Sequence, residues 1–153
     1  MPTIVIETRI LAPIEICFDL ARDLEAHVRS SVATGERIVG PKTTGLLQLG
    51  DEVTFEGRHL GVRQRLTSRI VEISRPTRFV DQMVAGAFTS LRHEHDFMPD
   101  GAAVVMRDTL TWQSPLGPLG LLADRLFLIQ YMRRFMLRKQ ALLKAEAEYS
   151  TSP

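Results

Sequence analysis

The chain has 153 residues, of which 44% are hydrophobic and 24% charged, and its formal net charge is +1. A chain of this size and composition is typical of one globular domain with a buried core. The small net charge argues against a general electrostatic attraction to nucleic acid or acidic membranes. The single cysteine, Cys17, excludes an intrachain disulfide and a cysteine-based zinc site.

The N-terminal segment carries the acidic residue Glu7 and has no long apolar run, so it does not resemble a signal peptide. The sequence contains no run of about 18 apolar residues, which is the length that would predict a membrane-spanning helix. We therefore expect residues 1–153 to form a single domain in the cytoplasm, without integral membrane association.

The first part of the chain predicts one strand and then helical structure. Residues 3–11 alternate between two sets of side chains, which is typical of a strand. Pro13 favours the first turn of a helix, because its missing N–H would have no partner there anyway. Apolar residues at helical spacing predict that helix over residues 14–24, and residues 25–31 are expected to form a second short helix.

From residue 36 onward, the period of two that is typical of strands dominates the sequence. We predict strands over residues 36–39, 51–60, 62–73, 78–84, 88–98 and 103–112. The last two strands form a hairpin around Pro99-Asp100-Gly101, because proline sets a turn dihedral angle and glycine tolerates a positive φ.

After a loop that contains two prolines, the period changes to 3.6 residues, which predicts one long helix over residues 119–149. Its apolar face is expected to consist of Leu122, Leu126, Ile129, Met132, Phe135 or Met136, and Leu143. The basic residues are expected mostly on the opposite, solvated face: Arg125, Arg133, Arg134, Arg138 and Lys139. No aromatic platform accompanies these charges, so we do not expect a nucleic-acid partner.

The order of the elements predicts an α+β fold with one large antiparallel sheet. Such a sheet must cover its apolar face, and a helix of about 45 Å can lie across it. We expect a curved sheet of about six to seven strands wrapped around the C-terminal helix, with one or two short helices after the first strand. A cavity between the sheet and the helix is the expected place for a ligand.

Five segments along the chain carry a family resemblance. They are RILAPIEICFDLARDLEAH at 9–27, LGDEVTFEGRHLGV at 49–62, LTSRIVEISRPTRFVDQMVAG at 66–86, LRHEHDFMPDG at 91–101, and RDTLTWQSPLGPLGLLADRLF at 107–127. These segments resemble the START-like or helix-grip superfamily, the polyketide cyclase/dehydrase and lipid-transport group, and in particular a bacterial subgroup of small single-domain proteins. The resemblance covers nearly the whole chain. It implies a helix-grip fold and a cavity for a hydrophobic ligand, and it implies no particular chemistry.

Two histidines stand on one face of the first hairpin strand. Because side chains of a strand alternate between its faces, His93 and His95 share a face with Leu91 and Phe97. The two apolar neighbours predict that this face is the concave, apolar one. Glu94 and Asp96, which alternate with the histidines, are therefore expected to point to solvent.

The hairpin also brings a carboxylate to the inward face, at Asp108. A loop that pairs Pro99 with Ala102 places His93 opposite Asp108, whereas a three-residue loop with a bulge shifts the register by one. An unpaired inward carboxylate costs several kcal/mol. We therefore predict a contact between His93 and Asp108, with His95 nearby.

His59 is the third candidate histidine, on the inward face of an earlier strand. Together with His93 and His95 it would make a three-histidine metal site. A polar network or a contact with a ligand is favoured, because inward histidines usually satisfy each other, a carboxylate or a ligand. We accordingly expect no metal ion and no cofactor.

Two functions compete at this stage. The favoured one is binding of a hydrophobic small molecule of lipid, polyketide or isoprenoid type, because no specific catalytic constellation is visible. Its predicted ligand-binding residues are His59, Phe55, Phe79, Met83, Leu91, Phe97, Met106, Leu110, Trp112, Leu122, Leu126 and Ile129. The alternative is a cyclase or dehydratase in which His93 or His95 acts as general acid or base, poised by Asp108. The oligomeric state does not follow from the sequence.

Overall fold

The computed structural model describes residues 1–153 and is built around one antiparallel sheet of seven strands. The strands are β1 (Thr3–Ile10), β2 (Arg37–Pro41), β3 (Glu52–His59), β4 (Val62–Ser74), β5 (Arg78–Ala85), β6 (Ser90–Asp100) and β7 (Ala103–Gln113). Their order across the sheet is β1-β7-β6-β5-β4-β3-β2. The strands β2 to β7 therefore form a meander, and β1 pairs with the last of them.

Two short helices connect the two edge strands, β1 and β2. They are α1 (Ile14–Ala21) and α2 (Leu24–Arg29), and a 3-10 turn at Val32–Thr34 follows them. The side chain of Asp23 accepts hydrogen bonds from the first backbone N–H groups of α2, which is the usual way to satisfy donors at a helix start. The predicted pair of helices after the first strand is confirmed.

The C-terminal helix runs over residues 118–150 and has three parts. These are α3 (Pro118–Ala123), a π-helical turn (Asp124–Leu128) and α4 (Ile129–Ser150). In the π turn, the backbone N–H of Ile129 donates to the carbonyl of Asp124, five residues earlier. The wider turn holds one additional residue, so the helix face that meets the sheet changes its phase there.

The sheet and the long helix confirm the predicted helix-grip architecture, but the predicted hairpin register is wrong. Asp100 pairs with Ala103, and His95 rather than His93 lies opposite Asp108. The turn lies one residue further along than expected, because Gly101, at φ 61°, takes its first position. Moving the turn by one position along both strands shifts the pairing partner of each residue by two positions. Because side chains alternate with a period of two, every side chain stays on its predicted face.

Apolar side chains fill most of the space on the concave side of the sheet. One cluster surrounds Phe18, Phe79 and Phe97, and a second surrounds Leu110 and Trp112. Burying each such side chain contributes roughly 1.5–3 kcal/mol. The two clusters leave open the middle of the sheet, where polar residues lie.

Cys17 is fully buried in the first apolar cluster. Burial raises the pKa of its thiol to about 11, so little reactive thiolate is present at neutral pH. Cys17 is therefore a packed core side chain rather than a nucleophile.

The convex face of the sheet is charged. Arg78 forms ion pairs with Glu94 and Asp96, at 2.8 and 2.7 Å, and a third with Glu72. The two acidic residues that alternate with the histidines therefore lie on the outer face, as their strand positions predict. No helix of the molecule is both long enough and apolar enough to cross a bilayer.

Candidate functional site

A cavity of about 430 Å³ lies between the concave face of the sheet and the C-terminal helix. Hydrophobic residues make up 25 of the 42 that line it. The apolar lining includes Phe55, Phe79, Leu91, Met106 and Leu110 of the sheet, and Leu128, Met132, Phe135, Met136 and Leu143 of the helix. The size and lining are typical of a site for a small organic molecule.

The structure divides the predicted lining residues into two groups. Those that line the cavity are His59, Phe55, Phe79, Leu91, Met106 and Leu110. Those that do not are Met83, Phe97, Trp112, Leu122, Leu126 and Ile129. The first group lies on strands, where the alternation of faces is strict; half of the second group lies on the C-terminal helix.

Leu122 and Leu126 were predicted to line the cavity, and there is a physical reason why they do not. Leu122 and Leu126 are 53% and 70% exposed, because the π turn changes the phase between α3 and α4. Ala123 and Phe127, one position further along in each case, line the cavity instead. A regular 3.6-residue period extended through this segment therefore assigns the wrong face.

The strand residues of the second group lie inside the packed apolar clusters. Phe97 packs edge-on against Phe18, with ring centroids 5.4 Å apart. Trp112 is fully buried and its Nε1 donates a hydrogen bond to Asp124 Oδ1 at 3.0 Å. Met83 packs against the second apolar cluster. All three point to the concave side, but neighbouring side chains separate them from the cavity.

One group of polar side chains in the cavity comes from three adjacent strands, β5, β6 and β7. We call it the Asp/His cluster: Asp81, His93, His95 and Asp108. His95 Nε2 lies 3.0 Å from Asp81 Oδ2, and its Nδ1 lies 2.8 Å from Asp108 Oδ1. Burial alone would lower the pKa of His95, but the two carboxylates outweigh it and raise the pKa to about 9. The ring is therefore an imidazolium at neutral pH.

His93 lies beside His95, with ring centroids 3.8 Å apart. Its Nε2 is 3.3 Å from Asp108 Oδ1, so the two residues predicted to contact each other do so despite the different register. Its Nδ1 is 3.9 Å from Asp81 Oδ2. Neither His93 Nε2 nor Asp108 Oδ1 has a well-directed hydrogen bond, so charge attraction rather than hydrogen bonding holds this side of the cluster.

Both carboxylates of the Asp/His cluster stay ionised. Burial would raise the pKa of Asp81 and Asp108, but the adjacent imidazoles reverse the effect and lower both values. Asp108 Oδ2 also accepts a hydrogen bond from Gln140 Nε2 of the C-terminal helix. The hydroxyl of Thr8 in turn donates to Gln140 Oε1. The cluster is therefore anchored to both the sheet and the helix.

A second polar group, which we call the His/Lys cluster, consists of His27, Glu36, His59, Tyr131 and Lys139. His27 Nε2 lies 2.5 Å from Glu36 Oε1, and Lys139 Nζ lies 2.9 Å from both ring nitrogens of His27. His59 Nδ1 lies 2.7 Å from the hydroxyl of Tyr131. Burial is the main cause that lowers the pKa of His27, His59 and Lys139.

This second cluster corrects one prediction and excludes one alternative that the sequence left open but did not favour. Lys139 does not lie on the solvated face of the helix, since its amine points into the cavity. His59 does not join His93 and His95, so the three-histidine metal site is wrong. The side chains whose ligand atoms do come together are Asp81, His93 and His95, within 4.8 Å of one another.

The sequence carried a signal for three of the polar residues that were missed. Asp81 alternates with Phe79 on one strand, so strand parity places both on the concave face. Lys139 stands four residues after Phe135, which places both on one helix face. Gln140 carried the same signal, since it stands four residues after Met136, whereas Glu36 carried none, because its role depends on partners from distant elements.

Taken with its element order, this geometry defines a START-like helix-grip fold. Solved structures similar to the chain include a protein of Thermus thermophilus, with a TM-score of 0.77, 20% identity, and 99% of this chain and 100% of that one covered. A START superfamily protein from Mycobacterium smegmatis has a TM-score of 0.73 and 12% identity, with 97% and 99% covered. The major latex-like protein 151 of Panax ginseng has a TM-score of 0.66 and 14% identity, with 95% and 97% covered.

These similarities concern the fold. No protein-family model and no functionally curated protein matches the chain. The function therefore has to be inferred from the cavity itself.

Proposed function

We propose that the protein binds a hydrophobic small molecule of lipid, polyketide or isoprenoid type in the cavity between the sheet and the C-terminal helix. The observation that carries the proposal is a mostly apolar cavity of about 430 Å³ with polar groups in two places. Ligand sites in proteins typically measure about 300–1,000 Å³ and combine apolar walls with a few polar groups. In this proposal residues 1–153 act as one domain, and the cytoplasmic location stays a prediction from the sequence.

The apolar walls supply most of the binding free energy. Removing apolar surface from water contributes about 25 cal/mol per Å². Rings and thioethers from both the sheet and the helix, such as Phe55, Met106 and Met132, face the cavity. Methionine side chains adapt to irregular shapes, so these walls favour a flexible or unevenly shaped apolar ligand.

The polar clusters orient the ligand. His93 faces the cavity from the Asp/His cluster, and Tyr131 and Lys139 face it from the His/Lys cluster. A hydroxyl, carbonyl or carboxylate on the ligand gains a hydrogen bond at either place, whereas a pure hydrocarbon gains none and shields these polar groups from water. An amphiphilic ligand with one oxygen-bearing end therefore fits better than a hydrocarbon.

The ligand has a route into the cavity. Leu60, Leu116 and Leu119 line the cavity and are also exposed on the surface. They come from the turn between β3 and β4, from the loop after β7, and from the start of α3. An apolar rim of this kind lowers the cost of transferring an apolar molecule from water.

Catalysis by the histidines has less support. A general base needs an imidazole nitrogen that is free to accept a proton from the substrate. Both nitrogens of His95 face carboxylates, and its raised pKa keeps the ring protonated at neutral pH. His95 is therefore unsuited to act as a general base at neutral pH, which leaves the catalytic alternative with less support than ligand binding.

Native mass spectrometry of the gently purified protein, followed by solvent extraction, tests the proposal. We expect an additional mass that extracts as an apolar compound. Protein stripped by extraction and refolded should bind an uncharged fluorescent probe such as N-phenyl-1-naphthylamine in a one-to-one complex. A bare chain mass together with no binding of this probe to folded protein would contradict the proposal.

A further inference from the structure

The Asp/His cluster has a geometry that its role in the proposed ligand binding does not require. Asp81 Oδ2 lies 3.0 Å from His95 Nε2 and 3.9 Å from His93 Nδ1. Bonds of about 2.1 Å to a tetrahedral metal ion set neighbouring ligand atoms about 3.4 Å apart. The two measured separations lie on either side of this value. The three residues offer ligand atoms that all lie within 4.8 Å of one another, so rotations of the side chains are needed to place them around one ion.

The carboxylate of Asp108 lies on the side of the two imidazoles away from Asp81, and it holds both rings in an orientation suited to binding an ion. His95 Nδ1 and His93 Nε2, the two nitrogens that face away from Asp81, lie 2.8 and 3.3 Å from Asp108 Oδ1. Histidines that bind metal ions almost always donate their other ring N–H to a carboxylate or a carbonyl. Asp108 is in turn held by Gln140, so a single oxygen is positioned to accept from both rings.

Two atoms of the cluster are buried without a hydrogen-bond partner: His93 Nε2 and Asp108 Oδ1. Asp108 is 5% exposed, so bulk water does not reach this oxygen, and the contact from His95 Nδ1 at 2.8 Å is not a well-directed hydrogen bond. If His93 binds an ion through Nδ1, its Nε2 must carry the proton and becomes a donor to Asp108. Occupation by a metal ion would therefore satisfy both atoms at once.

The charges also favour a cation. Asp81 and Asp108 bring two negative charges into a mostly apolar cavity, where the imidazolium of His95 and the amine of Lys139 oppose them. A divalent ion that binds His95 displaces the proton of that ring to solvent, and two carboxylates, two neutral imidazoles and one divalent ion then sum to zero. Imidazole with carboxylate is a donor set that suits zinc and neighbouring first-row transition metals.

We propose that Asp81, His93 and His95 bind one divalent transition-metal ion, with Asp108 holding the two imidazoles in position. The three ligands come from β5 and β6, adjacent strands in the middle of the sheet. The ring of His95 is also stacked on that of Phe79, with centroids 4.1 Å apart, and contacts the tilted ring of His93 at 3.8 Å. The ligands are thus held by rigid elements. The site faces the cavity and leaves a coordination position for water or for an oxygen atom of a bound molecule.

The test uses tag-free, full-length protein that has been treated with a chelator and dialysed. Co²⁺ is titrated in and followed by visible absorption, and Zn²⁺ affinity is obtained by competition. We expect one ion per chain. Replacement of a ligand, in Asp81→Ala, His93→Ala or His95→Ala, should weaken Co²⁺ binding at least about tenfold, and Asp108→Asn should weaken it about 10–100-fold.

His59→Ala is the matched control, because it removes another cavity histidine without touching the cluster; we expect it to retain the wild-type affinity. Circular dichroism identifies variants that fail to fold, and for those His93→Gln or His95→Gln replaces the alanine variant. Absence of Co²⁺ binding to the folded wild type would overturn the proposal, as would equal losses in His59→Ala and His93→Ala. Apolar probe binding to the stripped protein is measured separately, so a failure of this proposal is distinguishable from a failure of the proposed ligand binding.

Discussion

Gln140 Nε2, on the C-terminal helix, donates a hydrogen bond to Asp108 Oδ2 in the middle of the sheet. Both residues are buried, at 2% and 5% exposure. Gln140 also donates to the carbonyl of Ile6 at 3.3 Å and accepts from the hydroxyl of Thr8. One side chain thus joins the helix to β1 and β7 at a point where an apolar residue would leave several polar groups unsatisfied.

The first prediction concerns this link. Gln140→Ala removes the partner of Asp108 Oδ2 and of the Thr8 hydroxyl. We expect the free energy of unfolding to fall by about 1–3 kcal/mol, because buried polar groups are left without hydrogen bonds. Urea denaturation followed by far-UV circular dichroism measures the change.

Gln130→Ala is the control for this prediction, since Gln130 is an exposed glutamine on the same helix. It should change the free energy of unfolding by no more than about 0.5 kcal/mol. Equal effects of the two substitutions would show that the link between Gln140 and Asp108 contributes nothing specific.

The second prediction is a loss of stability in acid that depends on Glu36. Burial alone would raise the pKa of its carboxyl, but the hydrogen bond from His27 and the charges of Lys139 and His59 outweigh burial and lower the pKa from 4.5 to about 2. The stabilisation from this carboxylate is fully present at pH values above its pKa in the unfolded chain, and it is lost as the pH falls toward its pKa in the folded protein. We expect a loss of up to about 3 kcal/mol between about pH 5 and pH 2.

Glu36→Gln should remove this part of the pH dependence and lower the stability at neutral pH. Urea denaturation at a series of pH values measures both effects. Glu15→Gln, at an exposed position of α1, is the control and should follow the wild-type curve. An unchanged acid dependence in Glu36→Gln would show that Glu36 is not the group responsible.

The third prediction tests the phase of the C-terminal helix at the cavity. Ala123 lines the cavity, whereas its neighbour Leu122 is exposed. Ala123→Phe should reduce the affinity for an uncharged apolar probe by about tenfold, or ~1.4 kcal/mol, because the added ring occupies cavity volume. Leu122→Phe should leave the affinity unchanged. The reverse result, measured by fluorescence titration, would support the regular helix phase that the sequence predicts.

The fourth prediction concerns the join between the end of β7 and the helix. Asp124 accepts from Trp112 Nε1 at 3.0 Å and from the Ser114 hydroxyl at 2.6 Å. Asp124→Ala should destabilise the fold by about 1–3 kcal/mol, because it leaves a buried indole N–H without an acceptor. It should also shift the fluorescence of Trp112, the only tryptophan in the chain. Asp124→Asn, which keeps an acceptor oxygen, should retain most of the stability and the wild-type spectrum.

Several features followed from the sequence because they depend on local geometry. The alternation of side chains placed His93, His95 and Asp108 on one face of the sheet, and the change of period after residue 114 marked the long helix. The hairpin register did not follow in the same way. The predicted turn and the observed turn differ by one position, which shifts the pairing by two residues, and both keep the apolar side chains on the concave face, so patterning does not distinguish them.

The C-terminal helix shows a different limit of prediction. Its apolar residues fit a regular helical period, yet a π turn over Asp124–Leu128 exposes Leu126 and brings Phe127 to the cavity. Trp112 holds Asp124 at the start of this turn through a hydrogen bond from another element. A local pattern contains no information about such a partner, and the predicted lining was wrong at three helix positions for this reason.

The sequence by itself determined the order of elements, the faces of the strands and the existence of an apolar surface that one helix covers. These properties arise from interactions between residues that are near neighbours in the chain. Only the tertiary structure decided that Asp81 joins the two histidines, and that Lys139 meets His27 across 112 positions of sequence. Contacts of this kind depend on how the whole sheet curves around the helix, and the packing of all the elements together determines that curvature.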